Sequence, residues 1–117
     1  MKLRIQGNSL RLRLTRSEVA QLCRTGGVES TIEFTPESSL QYAVRCSPDA
    51  KLLTASFDGH SIVVLVPAAK AAQWANGNQV SIEGSHHDPV QLLVEKDFQC
   101  MHKPAHADPD AYPNPLA

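Results

Sequence analysis

Aromatic residues are scarce in this chain of 117 residues, which holds one Trp, two Tyr and three Phe. Few rings are available to stack on bases, so single-stranded nucleic acid is a poor candidate partner. No apolar run approaches the ~18 residues that a membrane-spanning helix needs, and no secretory apolar segment precedes the first alternating run. A cytoplasmic protein without membrane contact is the expectation. Three cysteines are an odd number, which points to thiols and not to a disulfide framework. A net charge of −1 gives no global attraction to nucleic acid or to a membrane. No Ser-His-Asp arrangement, phosphate-binding loop or dinucleotide fingerprint stands in the chain. These absences favour a small binding or interaction protein over an enzyme.

What is present is a pattern written twice. Residues 1–34 lie on residues 53–86 at a constant offset of 52, with Gly7/Gly59, Ser9/Ser61, Ala20/Ala72, Gln21/Gln73 and Val28/Val80 identical. Leu40 to Arg45 match Val90 to Glu95 at an offset of 50. Self-similarity at a fixed period constrains architecture before any other signal.

Leu3 and Ile5 alternate with Lys2 and Arg4, and Leu10, Leu12 and Leu14 with Arg11 and Arg13, the period of half-buried strands. Gly7-Asn8 between them is a two-residue hairpin turn with Gly first. Thr15 and Glu18 form a capping box for a helix whose apolar face is Val19, Leu22 and Cys23, and Gly26-Gly27 ends it. Val28 to Phe34 and Leu40 to Val44 alternate as strands around a Thr35–Ser39 loop. The second copy repeats this through the Asp58–Ser61 turn, a strand to Val66, an Ala-rich helix with Trp74 at the place of Leu22, and strands at 79–83 and 90–95.

The predicted fold is α+β: two ββαββ repeats (1–46 and 53–98) about a pseudo-two-fold axis. They would form a strongly curved antiparallel sheet or an eight-stranded barrel with two helices. Residues 1–103 would be one domain. Residues 104–117, a Pro-rich tail, would pack along one edge with Tyr112 as anchor, and open edge strands make a homo-oligomer plausible.

Two clusters carry candidate chemistry. Closing the first hairpin through Gly7-Asn8 opposes Arg4 to Arg11 and Lys2 to Arg13 on one face. Like charges opposed across strands cost ~0.2–1 kcal/mol per pair. Either Glu29 and Glu33 on a neighbouring strand, with Glu95, offset them, or a polyanion such as phosphate, nucleotide or nucleic acid binds there, or the face meets a protein partner. Near the end of the chain, Cys100, His102 and His106 supply soft and borderline ligands. His86, His87 or Cys46 could complete a site for Zn or Cu. At ~3.3 Å per residue, however, the strand from Val90 to Phe98 sets His86/His87 and Cys100 at opposite ends, so joining them would take a dimer. The alternative is surface histidines and a buried Cys100.

The strand faces alternating Lys2/Arg4, Arg11/Arg13, Glu29/Glu33 and Arg45 are distantly similar in kind to the CYTH triphosphate-tunnel family, an eight-stranded barrel lined by alternating charges. That resemblance would imply a triphosphate-binding barrel. The family's opening Glu-x-Glu-x-Lys pattern is absent, since residues 2–6 read Lys-Leu-Arg-Ile-Gln. The opening Met1-Lys-Leu-Arg-Ile-Gln-Gly-Asn-Ser-Leu-Arg-Leu-Arg-Leu-Thr15, together with Leu93-Val-Glu-Lys-Asp-Phe-Gln-Cys100 and Ala111-Tyr-Pro-Asn-Pro115, more closely resembles a family of small bacterial proteins without an assigned activity. Three functions follow as expectations: a metal-binding interaction protein, an anion-binding barrel and a structural subunit of a homo-oligomer.

Overall fold

The computed structural model describes residues 1–84, 88–98, 110–113 and 115–116. In order, the elements are β1 (Lys2–Gln6), β2 (Ser9–Leu14), α1 (Arg16–Thr25), β3 (Gly27–Thr35), β4 (Ser38–Ser47), β5 (Thr54–Phe57), β6 (Ser61–Pro67), α2 (Ala68–Asn76), β7 (Ser81–Glu83) and β8 (Gln91–Lys96). The class is α+β, but the strands form neither one curved sheet nor a closed barrel. They make two four-stranded sheets, ordered β1-β2-β8-β7 and β3-β4-β6-β5.

The departure from an antiparallel barrel has a local cause. Each hairpin is antiparallel, as its short turn requires. The helix after each first hairpin, however, carries the chain across to the other sheet. Each sheet is therefore assembled from two hairpins taken from opposite halves of the chain, and their inner strands meet in parallel: β2 with β8, and β4 with β6. The Thr35–Ser39 loop is also tighter than expected. Only Pro36-Glu37 turns the chain, and Ser38 and Ser39 belong to β4.

The two sheets share one layout. In the first hairpin Arg4 faces Arg11 and Ile5 faces Leu10; in the second Ser56 faces Val63 and Phe57 faces Ile62, the same register. Ser9 pairs with Gln91 across one parallel seam and Ser61 with Gln41 across the other. The Gln91 amide donates to the Asn8 carbonyl, and the Gln41 amide to that of His60, both at 3.0 Å. One expected match fails. Val28 pairs with Val44, whereas Ile82, not Val80, pairs with Val94. Two extra residues follow α2, so the Val28/Val80 identity is not a shared position. Val28 and Ile82 are buried, while Val80 is half exposed.

Both helices cover the ends of strands that lead into them. Thr15 caps α1, accepting from the Glu18 amide while the Glu18 carboxylate accepts from the Thr15 amide at 2.9 Å. Gly26, at φ +86°, ends the helix in the left-handed conformation that glycine reaches without strain. α2 starts at Pro67 with no side-chain cap. Val19 and Leu22 of α1, with Ala71 and Trp74 of α2, join one buried cluster with Leu12, Leu14, Val28, Val44, Val64, Val66, Ile82 and Val94. That cluster draws on both sheets. The Trp74 indole N–H, buried with the ring, donates to the Val80 carbonyl at 2.9 Å.

Two smaller expectations are corrected. Cys23 is exposed on the surface of α1, one position beyond the buried Leu22. Tyr112 is 98% exposed, so it anchors nothing among the described residues.

Candidate functional site

The first candidate is the outer face of the first hairpin. Alternation sends Leu3, Leu10, Leu12 and Leu14 inward and leaves Lys2, Arg4, Arg11 and Arg13 on one outward face, in the register expected from the turn. The partners differ from expectation. Glu29 and Glu33 lie on β3, in the other sheet, where Glu29 accepts from Arg45 and Gln41. The acids that meet the basic hairpin come from β8 and its end. Glu95 receives Arg13 and lies 3.8 Å from Arg11, and Asp97 lies 3.1 Å from the Lys2 ammonium. The parallel seam brings them there, since Arg13 sits opposite Glu95 in its register. Arg4 has only a Gln6 side-chain oxygen at 3.4 Å, with no carboxylate among the described residues. These side chains face outward and line no tunnel.

The second candidate, the cysteine and histidine cluster of Cys100, His102, His106, His86 and His87, lies outside the described residues. Among the described residues no group of three His, Cys, Asp or Glu side chains could hold a metal ion. Of the remaining thiols, Cys46 is half-buried on β4. Burial, and then the neighbouring Cys23, push its thiol above the usual range, which favours the protonated, unreactive form. His60 sits in the second hairpin turn, where its amide and that of Ser61 donate to the Asp58 carboxylate at 2.8 and 2.7 Å. Those two bonds hold Asp58 below the ordinary carboxylate range. The job of Asp58 is to close the turn.

Two concave regions were not singled out from the sequence. A cleft of about 600 Å³ lies between the helices and the end of β8, with Arg16, Cys23, Lys96, Asp97 and Phe98 in its wall. Two of its three charged groups, Lys96 and Asp97, are already engaged. Lys96 donates to the Gly77 carbonyl at 3.0 Å and stands 6.0 Å above the Trp74 ring, and Asp97 is paired with Lys2. The other region is a groove of about 430 Å³ where the sheets part at the hairpin-turn end. It is apolar, built from Ile5, Leu10, Leu40, Phe57, Ile62 and Val90. Matched positions of the two sheets contribute together: Ile5 with Phe57, and Leu10 with Ile62.

The helices leave from the opposite ends of β2 and β6, so no helix among the described residues covers the groove. Ile5 is 62% and Phe57 66% exposed. The same apolar face continues along β3, where Ile32 sits opposite the groove residue Leu40 and Phe34 follows it, 67% exposed. A signal existed in the sequence. Ile5 and Phe57 are the apolar residues nearest each turn, where a strand outruns what two helices can cover.

Two open sheets with a shared core and an apolar groove between their turn ends define a small α+β protein. The chain belongs to DUF7009, a family of unknown function, whose model matches residues 1–116. No curated protein and no solved structure matches the chain significantly. No similarity to the CYTH family is found, and the open sheets differ from that family's closed barrel. No helix among the described residues is long and apolar enough to cross a membrane.

Proposed function

We propose that this chain is a binding module that acts by protein–protein contact, and that its contact surface is the apolar groove with the adjoining face of β3. One observation carries the reading. Ile5, Phe57 and Ile32, the last paired with the groove residue Leu40, are large and exposed on the same inward-facing side of the strands that elsewhere buries Leu12, Val44 and Val64, and Phe34 stands exposed at the bulge just beyond Ile32. Single exposed apolar residues need no explanation, whereas a connected set at the mouth of a core marks an interaction surface. The module itself reads as an internal duplication of a ββαββ unit. The matching hairpin registers and matching parallel seams support this, with two residues inserted after the second helix.

The test is a photo-crosslinking residue placed at Phe57 and, as control, at the exposed Gln21 of α1, in cells producing the full chain. Covalent adducts at Phe57 well above those at Gln21 are expected. Equal yields at the two positions would end the reading.

A second reading is favoured by Arg4, which opposes Arg11 across the hairpin with no carboxylate beside it among the described residues. It keeps the basic hairpin as a small-anion site. Inorganic triphosphate would then raise the melting temperature, and Arg4→Ala would abolish the rise. The metal reading rests on residues outside the described region, and the geometry adds nothing to it.

A further inference from the structure

The β3–β4 hairpin is longer than the sheet that supports it. The last pairing of β4 with β6 is Gln41 with Ser61, yet β3 and β4 continue to pair through Ile32/Leu40, Glu33/Ser39 and Thr35/Ser38. Residues 31–39 are exposed throughout. A two-stranded ribbon is marginal in water without a surface to lie on. This one carries Ile32 on one face. At Phe34 the pairing skips a residue, a bulge that bends a strand and re-aims its side chain. The counterpart β7 has three residues, and no such arm is found there among the described residues.

The arm and the groove are one continuous surface, joined at Leu40, which lines the groove and pairs with Ile32. A surface holding both a projecting apolar ribbon and an apolar recess is self-complementary. A two-fold axis lets each copy offer its ribbon to the recess of the other. The charges agree. Residues 25–44 hold Glu29, Glu33 and Glu37 and no base, whereas residues 1–16 hold five bases and no acid. Neither Glu33 nor Glu37 has an ion pair among the described residues, and Arg4 has none. An acidic arm on each copy thus has a basic hairpin, bordering the groove, to meet on the other.

We infer that the occupant of the groove is a second copy of this chain, and that the β3–β4 arm of each protomer lies across the groove of its partner with Glu33 and Glu37 near Arg4. This rests on the groove being a contact surface, as proposed above, and names what fills it.

The test is sedimentation equilibrium on the full chain across a concentration series, with substitutions at exposed positions that leave folding unaffected. The parent should sediment at twice the mass of one chain. Phe34→Asp and Phe57→Asp should each raise the dimer dissociation constant more than ~30-fold, as loss of an anchoring aromatic does. Glu33→Arg with Glu37→Arg, and separately Arg4→Glu, should each weaken self-association at low salt. Mixing these two variants should restore a dimer, because both arm–hairpin contacts then pair opposite charges.

A parent that stays monomeric overturns the inference, as does a dimer indifferent to Phe34→Asp and Phe57→Asp. A monomer that still crosslinks through Phe57 would overturn the self-pairing alone and leave the contact-surface reading standing.

Discussion

The two sheets share their layout and differ in what they show to water. On the outer face of the β1–β2 hairpin stand Lys2, Arg4, Arg11 and Arg13; at the matching places on β5–β6 stand Thr54, Ser56, Val63 and Leu65. At the matching place on the parallel neighbour, one sheet has Glu95 opposite Arg13 and the other has Arg45 opposite Leu65. Inner faces are alike: Leu12 and Val64, Leu14 and Val66, and Leu22 and Trp74 are all buried. Layout is set by what the strands bury, and the outer face is free to take another job. A sheet with one buried face needs only its alternation to fix register.

The comparison can be broken most forcefully in the core. Trp74→Ala should cost about 3–5 kcal/mol by urea unfolding, more than Leu22→Ala at the matching place, because it also leaves the Val80 carbonyl without its indole donor. Ile82→Ala should cost about 2–5 kcal/mol and Val80→Ala no more than about 0.5. The reverse order would mean that the gapless offset of 52 was right after all.

A smaller effect separates the two helices. Glu18 accepts from the Met1 ammonium and closes the capping box, whereas α2 has no side-chain cap. Partial burial alone would raise the Glu18 carboxyl. The ammonium and the bonds to Thr15 outweigh that and hold it below the ordinary glutamate value. A lowered folded pKa stabilises fully above the unfolded value and is lost as pH falls through the folded one. Glu18→Gln should therefore cost about 1 kcal/mol near neutrality. Parent and variant should converge in stability on the acid side. A difference that persists at low pH would show that packing, and not charge, gives Glu18 its value.

Smaller still is the outer face. Glu95→Ala should cost no more than about 1 kcal/mol at low salt and less as salt rises, because Arg11 and Arg13 lose the carboxylate between them. Replacing Arg11 with Val and Arg13 with Leu gives β2 the outer residues of β6. Stability should move by only about 0.5 kcal/mol, with the far-ultraviolet spectrum unchanged. Loss of the folded state in that double variant would show that the outer face does specify the layout.

What was legible from sequence was local. Gly7-Asn8 and the Leu/Arg alternation set the first hairpin pair by pair. Thr15, Glu18 and Gly26 marked both ends of α1. The pairing of β2 with β8 was not legible. Each is an amphipathic strand with an open edge, and nothing within either distinguishes an antiparallel neighbour from a parallel one far along the chain. The partners of the basic face were misassigned for the same reason, since Glu95 reaches Arg13 only through that seam. The groove was missed because Ile5 and Phe57 read as ordinary inward residues. Their exposure depends on how far the helices reach, which is a property of the assembled molecule.

The seam has a further consequence in time. Arg13 and Glu95 are 82 residues apart, so the inner edge of the first hairpin waits for β8 to be synthesised. β4 finds β6 some twenty residues further on, and that sheet can close while the chain is still emerging. Contacts of long sequence separation form slowly because the intervening chain must first be ordered. During that interval the outward cations of the β1–β2 hairpin repel similar edges. A young chain thereby carries its own protection against premature pairing on the edge that stays open longest.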